Sequence, residues 1–240
     1  SDQDEMKIQL PAGGWIPRPA QAKLWKYLED GGKTAVVVWP RRFGKDEQAL
    51  RWTSVAMVNR PGTYWHMLPE ATQARKAIWE AINPHTGKRR IDEAFPQELR
   101  KATRENEMFI KFGESTWQVV GSDNFNSLVG SPPIGIVYSE WPLANPSAAA
   151  YLRPILAENN GWELFIYTPR GRNHGFTTYE RAKKDKDAFC QKLTVDDTKA
   201  ISEERLAEEL AWYKSEYGTE DGEAFFRQEY YCDFNAPLIG

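Results

Sequence analysis

The sequence predicts an α/β fold: a mostly parallel central sheet with helices on both faces. Two observations carry that expectation. Short apolar runs of strand length alternate with segments of helical periodicity, the pattern of strands joined by crossover helices. Within residues 34–58, TAVVVWPRRFGKDEQALRWTSVAMV, the period also changes abruptly. A β-branched run at Thr34 to Val38 gives way, after Trp39 to Gly44, to helical spacing from Lys45, with Ala49, Trp52, Val55 and Ala56 on one apolar face.

Strand, tight loop, Gly-Lys, helix is the layout of a P-loop. Its amides and helix N-terminus present donors and a positive dipole to a polyphosphate, and the lysine adds a point charge. The usual pattern, G-x-x-x-x-G-K-[ST], is altered at both ends. Trp39 stands at the first glycine, Asp46 at the hydroxyl residue, and Pro40 removes one amide donor. Taken alone, the stretch supports a nucleotide site and, as readily, a Gly44-Lys45 pair that merely starts a helix.

The other elements follow in order. Residues 1–19 read as a loose lead punctuated by Pro11, Gly13, Gly14, Pro17 and Pro19. A helix is expected over 20–29, closed by Asp30-Gly31-Gly32, and a second strand over 63–68 after the Pro61-Gly62 turn. A helix over 70–82 ends at Asn83-Pro84, and residues 84–104 read as irregular, with Lys88, Arg89, Arg90, Arg100, Lys101 and Arg104 against three acids. Residues 108–112 and 116–120 form a hairpin about Gly113, and 124–133 a loop. Strands at 134–138, 164–168 and 189–195 alternate with helices at 147–158, 176–184, 202–216 and 222–229.

Bulk properties narrow the function classes. With 240 residues, 41% hydrophobic and 27% charged, the chain suits one large or two small globular domains. A net charge of -3 argues against a surface coated in basic residues, so any nucleic-acid contact uses a local patch. Cys190 and Cys232 make neither a metal cluster nor a disulfide framework, which suits a reduced, cytosolic setting. No run approaches the length of a membrane span, and SDQDEMKIQL lacks a basic-then-apolar targeting pattern.

Two further stretches carry chemistry. In IGIVYSEW, 134–141, an apolar strand empties into an acid, where a nucleoside triphosphatase holds magnesium and polarises water. Glu140 sits one residue past the usual magnesium aspartate, in the position of a water-activating base; the plainer reading is an exposed strand-end glutamate. In LFIYTPRGRNHGF, 164–176, a buried strand ends at Thr168 before a basic loop. At the carboxyl edge of a parallel sheet such a loop borders the ligand crevice. Thr168 could sense a γ-phosphate there, and Arg170, Arg172, Asn173 and His174 could face DNA or a neighbouring subunit. A solvated basic turn is the other reading.

The order WPRRFGKD, VYSEW, YTPRGRNHGF and FFRQEYYCDF resembles the ATPase half of the large terminase subunit of tailed bacteriophages. PRPAQAKLWKYL is similar to that family's adenine-binding segment. The resemblance implies an ASCE/RecA-like P-loop NTPase that hydrolyses ATP with Mg2+ and drives double-stranded viral DNA into a procapsid. It implies a small terminase subunit and the portal ring as partners, a homo-oligomeric ring when active, no membrane, and the cytoplasm of the infected bacterial host. Its domains would be a lead and adenine segment at 1–33, the ATPase core at 34–200, and a helical segment at 201–240 leading towards a nuclease domain not expected here.

By the same resemblance, Lys45 contacts the β- and γ-phosphates, with Pro40, Phe43 and Gly44 forming the loop around them. Arg41 or Arg42 acts in cis, Arg41 being preferred because it lies four residues before the lysine. Gln21, with Arg18, reads adenine. Glu140 orients or activates water, and Thr168 begins the segment coupling hydrolysis to movement. Asp46 and Ser139 look like an exchanged pair: the carboxylate and hydroxyl that usually hold magnesium are both present, on opposite walls. Asp46, Ser139 and Glu140 are thus the expected metal surroundings. The loop NSLVGSPPIG lacks the arginine that related motors insert into a neighbour, leaving Arg104, Arg153, Arg170 and Arg172 as candidates. Residues 84–104 and 170–186 are the expected DNA patches. A helicase-like nucleic-acid ATPase and a non-hydrolysing P-loop assembly module remain as alternatives.

Overall fold

The computed structural model describes residues 8–127 and 131–237; residues 128–130 of the expected loop, 1–7 of the lead and 238–240 lie outside them. Among the described residues eight strands form one sheet in the order β3-β4-β5-β2-β6-β7-β1-β8. They are β1 (Thr34–Val38), β2 (Thr63–Leu68), β3 (Arg100–Arg104), β4 (Phe109–Phe112), β5 (Ser115–Gly121), β6 (Pro133–Ser139), β7 (Trp162–Tyr167) and β8 (Phe189–Lys192). All neighbours from β5 to β8 pair in parallel, and only β3-β4 and β4-β5 are antiparallel. Successive strand side chains point to opposite faces. Accordingly Ala35, Val37, Val137, Leu164 and Ile166 enter one core, while Val36, Val38, Ile136, Tyr138, Phe165 and Tyr167 enter another. The central strands are mainly apolar because both faces are covered, with His66 and Glu163 as buried polar exceptions.

Helices α1 (Ala22–Glu29) and α2 (Lys45–Asn59) cover the first face, α2 through Ala49, Leu50, Trp52, Ala56 and Met57. On the second face lie α5 (Ser147–Glu158), through Ala148, Leu152 and Leu156, and α6 (His174–Lys184). The C-terminal helices α8 (Glu203–Tyr217) and α9 (Thr219–Tyr231) form a hairpin, and Cys232 and Phe234 after it are buried in the second core.

Three expected elements change. The helix over 70–82 is α3 (Ala71–Ala74) followed by a π-helical turn, Arg75–Trp79. That turn seats Trp79 wholly inside, stacked on Trp117 at 6.2 Å. Residues 84–104 are ordered into α4 (Arg90–Ala94), a 3-10 turn and β3. As a short charged edge strand, β3 lacks an apolar alternation to announce it. The last strand stops at Lys192, because Thr194 and Asp197 form a capping box that starts α7 (Val195–Thr198).

Register in the middle of the sheet is keyed at Gly135. A Cβ there would lie 2.5 Å from the Trp162 ring and 2.6 Å from the Tyr64 ring.

Candidate functional site

Strands β6, β7 and β1 are adjacent and parallel, so the loops that leave their carboxyl ends converge. Trp39 N donates to Tyr167 O at 3.1 Å, Glu140 N to Ile166 O at 3.0 Å, and Thr168 Oγ1 to Trp39 O at 2.7 Å. Between them lies a cavity of about 150 Å³ lined by Arg41, Lys45, Asp46, Ser139, Glu140 and Thr168, together with Arg170 and Glu229. The stretches read separately from the sequence thus meet at one place.

The loop before Lys45 is tight: Arg42 and Gly44 both have left-handed backbones, at φ 62° and 69°. Trp39, standing where a glycine is usual, is fully buried; its Nε1 donates to Gln191 Oε1 at 3.0 Å and its ring meets Phe43 edge-on at 5.2 Å. Lys45 Nζ donates to Pro40 O at 3.1 Å. Burial pulls the Lys45 ammonium below its ordinary value, against the charges of Asp46, Glu229 and Glu140, which favour it. Phe43 is itself a core side chain, 2% exposed, so only its backbone remains for a ligand.

Asp46 and Ser139 do not face each other across the site, as the exchanged-pair reading expected. Ser139 Oγ donates directly to Asp46 Oδ1 at 2.6 Å, and His66 Nε2 lies 2.9 Å from the same oxygen. Burial opposes ionisation of Asp46, but the His66 and Ser139 bonds and the Lys45 charge outweigh it and hold the carboxyl below its ordinary value. His66, wholly buried on β2, was missed from sequence. The available signal was a lone polar residue inside TYWHML, since a buried polar side chain needs a partner.

Glu140 is exposed and left-handed at φ 53°, a rare backbone for a non-glycine residue and one that aims it off the end of β6. Among the described residues no group of three or more His, Cys, Asp or Glu converges as a metal cage. A magnesium ion carried in with phosphates needs only one or two protein carboxylates, so Asp46, still 38% exposed, and Glu140 fit that demand.

Arg41 lines the cavity, whereas Arg42 turns to a separate recess of about 400 Å³ with Trp212, Tyr213 and Tyr230 of the C-terminal hairpin, a recess Arg41 also borders. Gln21 and Arg18 do not line the cavity. Gln21 is 1% exposed, with Nε2 on Phe43 O at 2.7 Å and Oε1 accepting Arg18 N at 3.0 Å, and the Arg18 guanidinium lies over Phe43. In this arrangement both brace the loop. Glu229, on α9, pairs with Arg170 at 2.9 Å and Arg41 at 3.8 Å. It too was passed over, although it lies within FFRQEYYCDF.

The basic segments differ from expectation. Arg89 pairs with Asp92 and Glu105, Arg90 with Glu47, Arg100 with Asp92, Lys101 with Glu114 and Arg104 with Glu107. Arg100 is nearly buried, its side chain 2% exposed. Region 84–104 is therefore largely neutralised rather than a basic patch. In the second segment Asn173 Nδ2 donates to Pro142 O at 2.8 Å and His174 Nε2 contacts Trp141 O at 2.7 Å, so both point inward to the turn after Glu140. Arg172 holds Asn235 at 2.7 Å, and Arg153 pairs with Glu163.

No protein-family model and no curated protein sequence matches the chain. Solved structures do. The ATPase domain of the large terminase of Thermus phage P74-26 is similar at TM-score 0.67 and 19% identity, over 92% of this chain and 95% of that one. The large terminase of another thermophilic bacteriophage, in complex with ATP-gamma-S, is similar at TM-score 0.67 and 14% identity, over 92% of this chain and 53% of that one. The chain thus has the P-loop NTPase fold of those ATPase domains and spans about half the length of the second protein.

Proposed function

We propose that this chain is the ATP-hydrolysing motor domain of a viral terminase, which moves double-stranded DNA into a procapsid. One observation carries the reading: Lys45 and Glu140 line the same small cavity at the carboxyl edge of the sheet. The fold shared with terminase ATPase domains, and the ATP-gamma-S complex of one such terminase, support it.

In this reading the loop from Pro40 to Gly44 and the N-terminus of α2 cradle the β- and γ-phosphates, and Lys45 exchanges Pro40 O for a phosphate oxygen. Arg41 offers a cis guanidinium where charge develops on the transferring phosphoryl group. Glu140, solvated and directed by its backbone, accepts a proton from the attacking water or orients it. Thr168, bonded to Trp39 O, joins the loop after β7 to the P-loop. A magnesium ion bound with the nucleotide would be held beside Asp46, Ser139 and Glu140 and would neutralise phosphate charge. Double-stranded DNA, a small terminase subunit, the portal ring and further copies in a ring are the partners this role requires, in the cytoplasm of an infected bacterium.

A second reading, a nucleotide-binding assembly module without turnover, is favoured by Asp46 already being engaged by Ser139 and His66. Steady-state phosphate release separates the two, measured with magnesium and double-stranded DNA at concentrations that allow oligomers. The motor reading expects release that Glu140→Ala reduces at least about a hundredfold, in the range for loss of a general base. Release no greater than that of the variant, with ATP still bound, would leave the binding module.

A further inference from the structure

Resting on the nucleotide-site reading above, we propose that Glu229 is a positioning residue for the two arginines facing the phosphate cavity. Its carboxylate lies 2.9 Å from Arg170 Nη1 and 3.8 Å from Arg41 Nη1, and its carbonyl accepts Arg41 N at 3.1 Å. The preceding residue, Gln228, accepts Gly171 N on Oε1 at 2.9 Å. Two consecutive residues of α9 therefore fasten both the P-loop and the loop after β7.

Charge explains why an acid belongs there. Arg41, Arg170 and the Lys45 ammonium crowd one cavity of about 150 Å³, where Asp46 is already engaged. The Glu229 side chain is only 11% exposed, so its charge is weakly screened and offsets the mutual repulsion of the two guanidiniums; it holds Arg170 at 2.9 Å and draws in Arg41, whose side chain is 59% exposed, at 3.8 Å. The same carboxylate opposes an arriving polyphosphate. It therefore has two effects of opposite sign: it weakens binding of the anion and it aims the arginine that serves the reaction. A residue that merely packed α9 would have neither.

The isosteric variant Glu229→Gln tests this, with ATP-gamma-S for affinity and ATP for turnover. Binding should tighten about threefold or more as a like charge is removed. kcat should fall about tenfold or more as Arg41 loses its aim. Unchanged affinity and kcat, or a parallel loss of both, would overturn the proposal. Arg170→Gln keeps it falsifiable should Glu229→Gln fail to melt cooperatively. That variant should lose kcat by about tenfold and bind less tightly; where Glu229→Gln does fold, the kcat losses in the double variant should be clearly less than multiplicative. Full kcat in Arg170→Gln would also overturn it. A wild-type chain that binds no ATP-gamma-S sinks the nucleotide reading and this one together. A wild type that turns over ATP beside two indifferent variants sinks only the role of Glu229.

Discussion

Ser139 Oγ donates a 2.6 Å hydrogen bond to Asp46 Oδ1, joining the residue that follows the P-loop lysine to the last residue of β6. The two positions at which a P-loop enzyme usually keeps a hydroxyl and a carboxylate still hold one of each, with places exchanged and in direct contact. His66 Nε2, 2.9 Å from the same oxygen, completes a three-residue cluster. An ionised carboxylate only accepts, so this nitrogen carries the proton.

If the exchange is functional, Asp46→Ser abolishes turnover, and Ser139→Asp added to it restores a measurable part by returning a carboxylate to the cluster. Phosphate release from the three proteins across a magnesium titration checks this. Wild-type activity in Asp46→Ser would refute the exchange.

Replacing His66 by Phe removes one of the two side-chain partners of Asp46 Oδ1, leaving Ser139, and sets the partly buried carboxylate beside an apolar ring. An unsatisfied buried polar group costs about 1–3 kcal/mol. Urea denaturation should report a loss of that size. Stability equal to wild type would mean that water or Ser139 alone satisfies Asp46.

Gln21 supplies a different contrast. Its amide holds Phe43 O at 2.7 Å, inside the P-loop and away from the cavity lining. If bracing is its contribution, Gln21→Ala weakens ATP and GTP binding by the same factor. A loss confined to ATP would instead assign it to adenine, as the resemblance implies. Competition binding with the two nucleotides decides between them.

The cysteines give a pH prediction. Burial pushes the Cys232 thiol up to about 12 and Cys190 to about 11. A free thiol titrates near about 8.5, so the folded chain holds these protons longer than the unfolded one. That contribution to stability is full below about 8.5 and fades as pH rises towards the folded values. Alkylation at pH 8 should be slow for Cys232 in the native protein and fast in urea; rapid native labelling would contradict its burial.

Much of the fold was legible because both-face burial writes itself as apolar runs: TAVVV, IGIVY and LFIY all fall on central strands. The helix over 147–158 was legible for the related reason that Ala148, Leu152 and Leu156 recur on one face. What escaped was carried by partners distant in sequence. β3 reads as a charged tract until β4 pairs with it, and the π-helical turn follows from Trp79 meeting Trp117. The contact of Asp46 with Ser139 spans 93 positions, and no local spacing announces it. The resemblance implies a role at the ligand for Gln21, and the basic loop suggests an outer-surface role for Asn173. Side-chain type does not say which way an amide points, and both face inward here.

The glycine in the middle of β6 reaches well beyond its own surroundings. Gly135 lies five residues before Glu140, a separation of about 17 Å along an extended strand. With Trp162 and Tyr64 closed over it, any larger residue would have to push one ring aside or slide the strand lengthwise. Sliding by one residue would carry Glu140 to the other side of the sheet. The reach of the carboxylate at one end is thus gauged, like the stop on a ruler, by a missing side chain at the other.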